Sequence, residues 1–173
     1  ARINEPGEGD PTKLDLDDTM IVFTSDHGDY LGDHWMGEKD LFHEPSVKVP
    51  LIIYDPSTAA EAGRGAACDA LVETIDLAPT FLEALGADPM QQSHRLEGRS
   101  LMPFVRGEAP AEWRRAVFSE YDYSILPVAA KLGIEPRNAR LFMVADGRWK
   151  YVHAVGFRPM LYDLETDPSE FRD

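Results

Sequence analysis

The feature that most constrains this sequence is an unbroken apolar run that stops at an acid and a histidine. Residues 19–25 read TMIVFTS, with β-branched side chains and no polar alternation. Such a run predicts a strand covered on both faces, as in a parallel sheet. The run ends at Asp26-His27-Gly28. Because open α/β sheets bind ligands at the carboxyl ends of their strands, this position favours a site.

Asp26 and His27 together offer an anionic oxygen and an imidazole nitrogen, a donor set suited to Mn, Fe or Zn. Neighbouring residues of a regular strand point to opposite faces. The two side chains can therefore share one metal ion only if the chain turns between them, and Gly28 permits such a turn. The competing interpretation is an Asx turn at the end of a strand, with a histidine that only packs.

Further strands are predicted along the chain. Pro50 lies in the first of them, which indicates an edge strand or one that starts after the proline. Residues 140–153 have the pattern of a hairpin that turns at Asp146-Gly147. The predicted strands cover residues 47–54, 116–121, 140–153 (two strands) and 161–164.

Residues 76–86 give the clearest helix pattern, with Asp76 as its cap and Gly86 closing it. Its buried stripe is predicted to consist of Leu77, Phe81 and Leu85, with Ala78 and Leu82. Residues 29–46 are polar and contain several turn formers, which predicts a long loop or a loop with a short helix.

These elements predict an α/β fold in three parts. Residues 1–18 are expected to be a loop or ragged terminus. Residues 19–105 are expected to form part of a large mixed sheet with flanking helices. Residues 106–173 are expected to form a small antiparallel-sheet subdomain.

Charge and composition exclude several classes of protein. With 17 Lys and Arg against 31 Asp and Glu, the net charge is −14, which disfavours nucleic acid and anionic membranes as partners. A single cysteine, Cys68, excludes an internal disulfide framework. No apolar run approaches the roughly 20 residues of a membrane span. The start of the chain has no signal-peptide pattern, but its natural amino terminus is expected to lie upstream, so the compartment stays open, with a slight preference for the cytoplasm.

The residues around Asp26-His27 resemble a known enzyme family. The stretch FTSDHGDYLGDH at 23–34 is followed by GEK at 37–39, FHE at 42–44, Ser46 and KVPL at 48–51. This order resembles the sulfatase signature of the alkaline phosphatase superfamily. Asp-His in place of Asp-Asn leans toward its phosphonate monoester hydrolases, although choline-type and other sulfatases with Asp-His leave both branches open. Segments at 76–80 (DLAPT), 98–101 (GRSL) and 161–168 (LYDLETDP) resemble the family's downstream motifs.

The resemblance implies an incomplete alkaline phosphatase-like fold and a site with assigned roles. Asp26 and His27 would bind one divalent metal ion (Mn, Fe, Zn, Ca or Mg). Lys39 would contact the oxygens of the substrate and the nucleophile. The substrate would be a small anionic ester, a phosphonate, phosphate or sulfate, and the intact protein could be a homo-oligomer.

The family's nucleophile, a cysteine oxidised to formylglycine in a Cys-x-Pro-x-Arg segment, is expected upstream of this chain. Cys68 does not fit it, because it follows the metal pair and lies in AACDA. The chain is therefore expected to be a carboxy-terminal fragment that is inactive alone. Two alternatives stay open: a phosphatase or phosphomutase with a hydroxyl nucleophile, and a non-catalytic binding or oligomerisation module.

Several other polar side chains are weaker candidates. The two loop histidines could line the pocket, and the loop acids could support the ligands from behind, but packing and solvation explain them as well. A tyrosine pair is expected to be partly buried rather than catalytic. These residues are His34, His43, Asp29, Asp33, Lys48, His94, His153, Tyr121 and Tyr123.

Overall fold

The computed structural model describes residues 3–4 and 14–173, with side chains from Leu16 onward. Strands β1 (Ile3–Asn4) and β2 (Leu14–Asp15) pair in parallel. The loop predicted over residues 1–18 lies for the most part outside the described residues.

The apolar run before Asp26 forms strand β3 (Ile21–Thr24), as predicted. Its partner β4 (Leu51–Tyr54) begins directly after Pro50, which agrees with the exclusion of proline from a strand interior. The parallel, doubly covered arrangement predicted for this run is wrong for β3 and its partner β4. The two strands are antiparallel, and the cross-strand pair Phe23 and Ile52 is 60% and 62% exposed. The apolar run specifies a strand with two apolar faces but not the direction of its neighbour.

The predicted helix is present as α2 (Leu77–Ala84), and Gly86 with φ +81° follows its end. The predicted stripe is wrong in part: Phe81 is 42% and Leu85 85% exposed, and Ala78 is exposed too, whereas Leu77 and Leu82 are partly buried. The buried side of α2 instead carries Pro79 and Thr80. Hydrogen bonding explains the difference, because Thr80 donates to the carbonyl of Asp76 and accepts from the amide of Leu101.

Asp76 is fully buried but does not cap α2 as predicted. It ends a 3₁₀ turn (Thr74–Asp76) that runs into the helix, and its carboxylate points toward the start of that turn. One oxygen accepts from the amide of Glu73 and the other from the amide of Arg99, each at 2.8 Å. A Cβ on Gly98 would lie 2.1 Å from the carbonyl of Ile75, so only glycine allows this approach. The DLAPT and GRSL motifs thus meet in one structural joint.

The predicted antiparallel sheet is formed by four strands in the order β5-β6-β7-β8. The hairpin turn at Asp146-Gly147 joins β6 to β7, and β8 is an edge strand, as predicted. Buried and exposed residues alternate along β7, so one face covers a core that includes Leu141, Met143 and Val152. The strands are β5 (Val117–Asp122), β6 (Arg140–Ala145), β7 (Trp149–Ala154) and β8 (Met160–Asp163).

Short helices complete the described chain. The segment 29–46 is a loop with a 3₁₀ turn (Asp33–Trp35) and the start of helix α1 (Glu44–Val47), as predicted. Within residues 16–173, no helix is long and apolar enough to cross a membrane. The remaining helices are α1 (Glu44–Val47), α3 (Met102–Val105) and α4 (Pro127–Lys131), with 3₁₀ segments at Thr58–Gly63, Pro89–Gln92 and Pro136–Asn138.

The chain divides into two compact units. The first contains residues 1–25 and 50–113, including α2 and the β3–β4 pair. The second contains residues 26–49 and 114–173, so the loop after β3 belongs with the four-stranded sheet. The division at residues 18 and 105 that the sequence suggested stays a prediction.

Replacing Asp76 by Asn should lower the free energy of unfolding by about 2–4 kcal/mol, because an amide nitrogen would face one of two buried N–H donors. Asp88→Asn is the matched control. Asp88 caps an exposed 3₁₀ turn by accepting from Met90, a task that Asn performs equally well. Urea unfolding measures both changes. A loss below about 0.5 kcal/mol for Asp76→Asn would show that the joint is not a source of stability.

Candidate metal centre and its supporting loop

Asp26 and His27 follow β3, and their side chains converge. Oδ2 of Asp26 lies 3.4 Å from Nε2 of His27, while Oδ1 of Asp26 accepts from the His27 amide at 3.1 Å. Two ligands at about 2.1 Å from one metal ion lie roughly 3.0–3.4 Å apart, depending on the angle between them. The donor pair thus has the spacing of two ligands on one ion. The Asp26 side chain is 84% exposed and the His27 side chain 39%, so an ion could reach them from solvent.

The tautomer of His27 is set by its own turn. Nδ1 lies 2.7 Å from the carbonyl oxygen of Gly28, an acceptor that requires a proton on Nδ1. In the neutral ring Nε2 then carries the lone pair, and it faces the Asp26 carboxylate. Histidine ligands usually donate a hydrogen bond from one ring nitrogen to a carbonyl or carboxylate, and this bond orients the other nitrogen toward the metal.

Lys39 is exposed and close enough for its charge to act on Asp26. Desolvation works to raise the pKa of Asp26. It is outweighed by His27, by backbone N–H groups and by the ammonium of Lys39, so the pKa is lowered. A carboxylate that stays ionised is the form that binds a cation. The structure therefore brings Asp26 and His27 together, with the charge of Lys39 acting on Asp26. The roles of all three residues stay predictions.

The loop between the ligand pair and Lys39 is held in an unusual backbone conformation. Four non-glycine residues have left-handed φ values, a state that costs about 1–3 kcal/mol for each bulky residue and persists only where surrounding contacts enforce it. Two backbone contacts close the loop: the amide of Tyr30 donates to the carbonyl of Glu38, and that of Gly32 to Met36, both at 2.9 Å. The left-handed residues are Leu31, His34, Trp35 and Glu38.

The residues that follow this loop contact Lys150 of β7, an ion-paired lysine that is only 1% exposed. Its Nζ donates to Glu44 at 2.6 Å and to the carbonyl of Phe42 at 2.9 Å, and lies 2.8 Å from Glu170. Glu170 also accepts from the Glu44 amide at 2.6 Å. Burial works to raise the pKa of Glu44, but Lys150 and Lys48 lower it overall. No local sequence pattern predicts this triad of Lys150, Glu44 and Glu170, because Glu44 precedes Lys150 by 106 positions and Glu170 by 126.

A half-buried histidine adjoins the triad. Nδ1 of His43 lies 2.8 Å from the hydroxyl of Tyr30, and its ring stacks on His34 at a centroid distance of 4.0 Å. Desolvation, His34 and Lys150 lower the pKa of His43 to about 4. Desolvation raises the pKa of Tyr30 to about 12. His43 therefore packs as a neutral ring at neutral pH.

The other residues singled out from the sequence have simpler surroundings. Asp29 accepts from the Leu31 amide within a turn, and Lys48 pairs at 3.2 Å with Glu44. Tyr121 donates to Asp40 and lies beside the buried Tyr123. The remaining candidates, Asp33, His94, His153 and Cys68, are exposed.

In the part of the chain that the structure describes, no group of three or more His, Cys, Asp or Glu side chains converges as a metal site. A catalytic metal ion normally takes at least three protein ligands. The Asp26–His27 pair therefore fits a metal ion in chemistry and spacing but supplies part of a coordination shell.

Comparison with known proteins now identifies the family. Residues 32–173 match the family model described as N-sulphoglucosamine sulphohydrolase, C-terminal. The chain belongs to this sulfatase family. The matched region includes Lys39, the stacked pair His34 and His43, and the Lys150 triad. Asp26 and His27 precede it by a few residues.

Individual relatives place this sulfatase chain in the alkaline phosphatase superfamily. It is 35% identical over 158 residues to the multifunctional alkaline phosphatase superfamily protein PehA of Trinickia caryophylli, covering 90% of the chain and 30% of the relative. It is 33% identical to the choline-sulfatase of Rhizobium meliloti, covering 90% and 27%. The crystal structure of the phosphonate monoester hydrolase of Agrobacterium radiobacter superposes with a TM-score of 0.80 at 39% identity, covering 89% and 30%. The fold and the family predicted from the sequence are confirmed, and the chain spans less than a third of these relatives' length.

Lys150→Met should destabilise the chain by about 3–5 kcal/mol, because it leaves the buried Glu170 and the partly buried Glu44 without their counter-charge. Lys48→Met removes the other cation on Glu44, but that lysine is exposed, and a loss below about 1 kcal/mol is expected. Urea titrations of both variants test this. Equal losses would contradict the structural role of Lys150.

His43 predicts a pH dependence of stability between pH 7 and 5. Its folded pKa of about 4 lies below the unfolded value near 6.5, so the unfolded chain takes up the proton first. The contribution of His43 to the free energy of unfolding is fully present above pH 6.5 and declines as the pH falls toward the folded pKa. With allowance for partial exposure, the expected loss at pH 5 is about 1 kcal/mol. His43→Asn should flatten this slope, whereas replacement of the exposed His153 should not. An unchanged slope in His43→Asn would refute the assignment.

Proposed function

We propose that this chain is the carboxy-terminal part of a metal-dependent hydrolase of anionic esters. In this proposal the chain supplies two metal ligands and a cationic contact for the ester's oxygens. The observation that carries the proposal is the convergence of Asp26 and His27 at 3.4 Å, with Lys39 near enough to lower the pKa of Asp26.

The proposed reaction is attack of an activated nucleophile on phosphorus or sulfur, in line with a departing alcohol or phenol. Negative charge on the non-bridging and leaving oxygens increases toward the transition state. A bound divalent ion would polarise those oxygens. In this proposal Lys39 would add a compact positive charge with three donors and would contact an oxygen of the ester that does not bind the ion.

Substrate class follows from the relatives only in part. PehA and the phosphonate monoester hydrolase point to phosphorus esters, and the choline-sulfatase to sulfate esters. We propose a small ester anion of one of these two kinds. The local cations would attract it, while the surrounding net charge of −14 would repel polyanions.

The nucleophile and the missing metal ligands are proposed to come from a segment outside this chain. Cys68 is exposed in a loop and lies in the unit that does not contain Asp26 and His27. The relatives' uncovered length, about 70% of each, leaves ample room for a formylglycine segment and further acidic ligands. The chain alone is therefore expected to hydrolyse neither aryl phosphonates nor aryl sulfates.

Manganese titration followed by NMR tests the metal site without requiring turnover. Paramagnetic Mn²⁺ should broaden the ring resonances of His27 before those of His94 and His153, since only His27 has a converging carboxylate in the described structure. Asp26→Ala should remove this preference, and Asp29→Ala, a neighbouring loop acid, should not. Equal broadening of all five histidines would refute the metal site.

A further inference from the structure

We propose that Ser46 is the positioning residue that holds Lys39 and the Asp26–His27 turn in one frame. The inference rests on the proposed function, because it assigns a role toward the metal and the ester oxygens. Ser46 binds both halves of the site: its carbonyl accepts from the Gly28 amide, and its hydroxyl donates to the Lys39 carbonyl, both at 2.7 Å.

The serine itself is firmly held. It is 4% exposed and lies in the four-residue helix α1, where its amide donates to the His43 carbonyl at 2.9 Å. The first residue of that helix, Glu44, is tied to Lys150 through its side chain and to Glu170 through its amide. Ser46 is therefore a fixed point against which the more exposed site residues are set.

The ligand side of the frame depends on a close backbone approach. A Cβ built on Gly28 would lie 1.9 Å from the carbonyl oxygen of Pro45 and 3.3 Å from that of Ser46. The φ of Gly28 is not in the left-handed region, so glycine is required here by space and not by backbone conformation. The Gly28 carbonyl in turn orients the His27 ring at 2.7 Å. A continuous path of contacts thus runs from Ser46 to the metal-facing nitrogen.

On the Lys39 side, the contact with Ser46 is the hydrogen bond from the serine hydroxyl to the Lys39 carbonyl. Lys39 follows Glu38, whose φ is +60°, and its own side chain is exposed. An ammonium on a four-carbon stem gains little order from solvent-side contacts. Fixing the carbonyl at the base of that stem limits the region the ammonium samples. Catalytic groups need placement within about 0.5 Å, so loss of this one bond should affect the site more than the fold.

The test measures the distance from Lys39 to a bound ion. Lysines are dimethylated with ¹³C-formaldehyde, Mn²⁺ is added in excess, and broadening of the Lys39 methyl signal is recorded with that of His27; Lys131 is the reference. Ser46→Ala should at least halve the paramagnetic broadening of Lys39 and leave the broadening of His27 within error. Ser46→Thr, which keeps the hydroxyl, should restore it. Ser57→Ala removes an exposed serine hydroxyl that bonds Asp55, and should change neither signal.

The outcomes separate the two proposals. If Mn²⁺ does not broaden His27 in the unaltered chain, the proposed metal site fails. If His27 broadens but Ser46→Ala leaves Lys39 unchanged, the positioning role of Ser46 is overturned. If Ser46→Ala does not fold, Ser46→Cys, which preserves size but donates weakly, takes its place with the same expected loss for Lys39.

Discussion

The arrangement of the candidate site depends on one buried ammonium. Lys150 enters from the sheet, and its three oxygen partners belong to the loop before α1, to α1 itself and to the chain's last residues. A buried cation is tolerated only when its surroundings supply charge and hydrogen bonds, so these segments must stay together for the chain to fold. The helix that presents Ser46 is therefore fixed by charge pairing, although four residues could not hold a helix by propensity.

Several of the motif residues near the candidate site have contacts that hold the backbone in place. Gly28 is needed for a close approach, Glu44 for the ion triad and Ser46 for two hydrogen bonds. The downstream motifs have the same character, since Asp76 and Gly98 meet in a buried joint. Much of the motif thus specifies backbone placement, and the exposed side chains of Asp26 and Lys39 are set on that backbone.

Sequence reasoning reached the elements whose signals are local. The apolar run gave β3, the Asp146-Gly147 turn gave the hairpin, and the resemblance gave the family. Contacts between residues far apart in the sequence were not predicted. The stripe on α2 failed because Thr80 bonds to Leu101, and the Lys150 triad was invisible because its partners come together only in the folded chain. Periodicity shows which face of a helix is apolar. A buried polar contact, such as that of Thr80, can place a different face against the protein.

The exposure of the site has a physical consequence. At 84% exposure the Asp26 carboxylate is solvated, and charge–charge attraction in water is a small fraction of its value in a closed pocket. A metal ion held by this pair alone would keep most of its water and polarise an ester weakly. The cross-strand pair Phe23–Ile52 likewise presents an apolar surface that a two-stranded sheet cannot cover by itself. Both the electrostatics of the site and the uncovered sheet thus agree with the proposal above that further ligands come from a segment outside this chain.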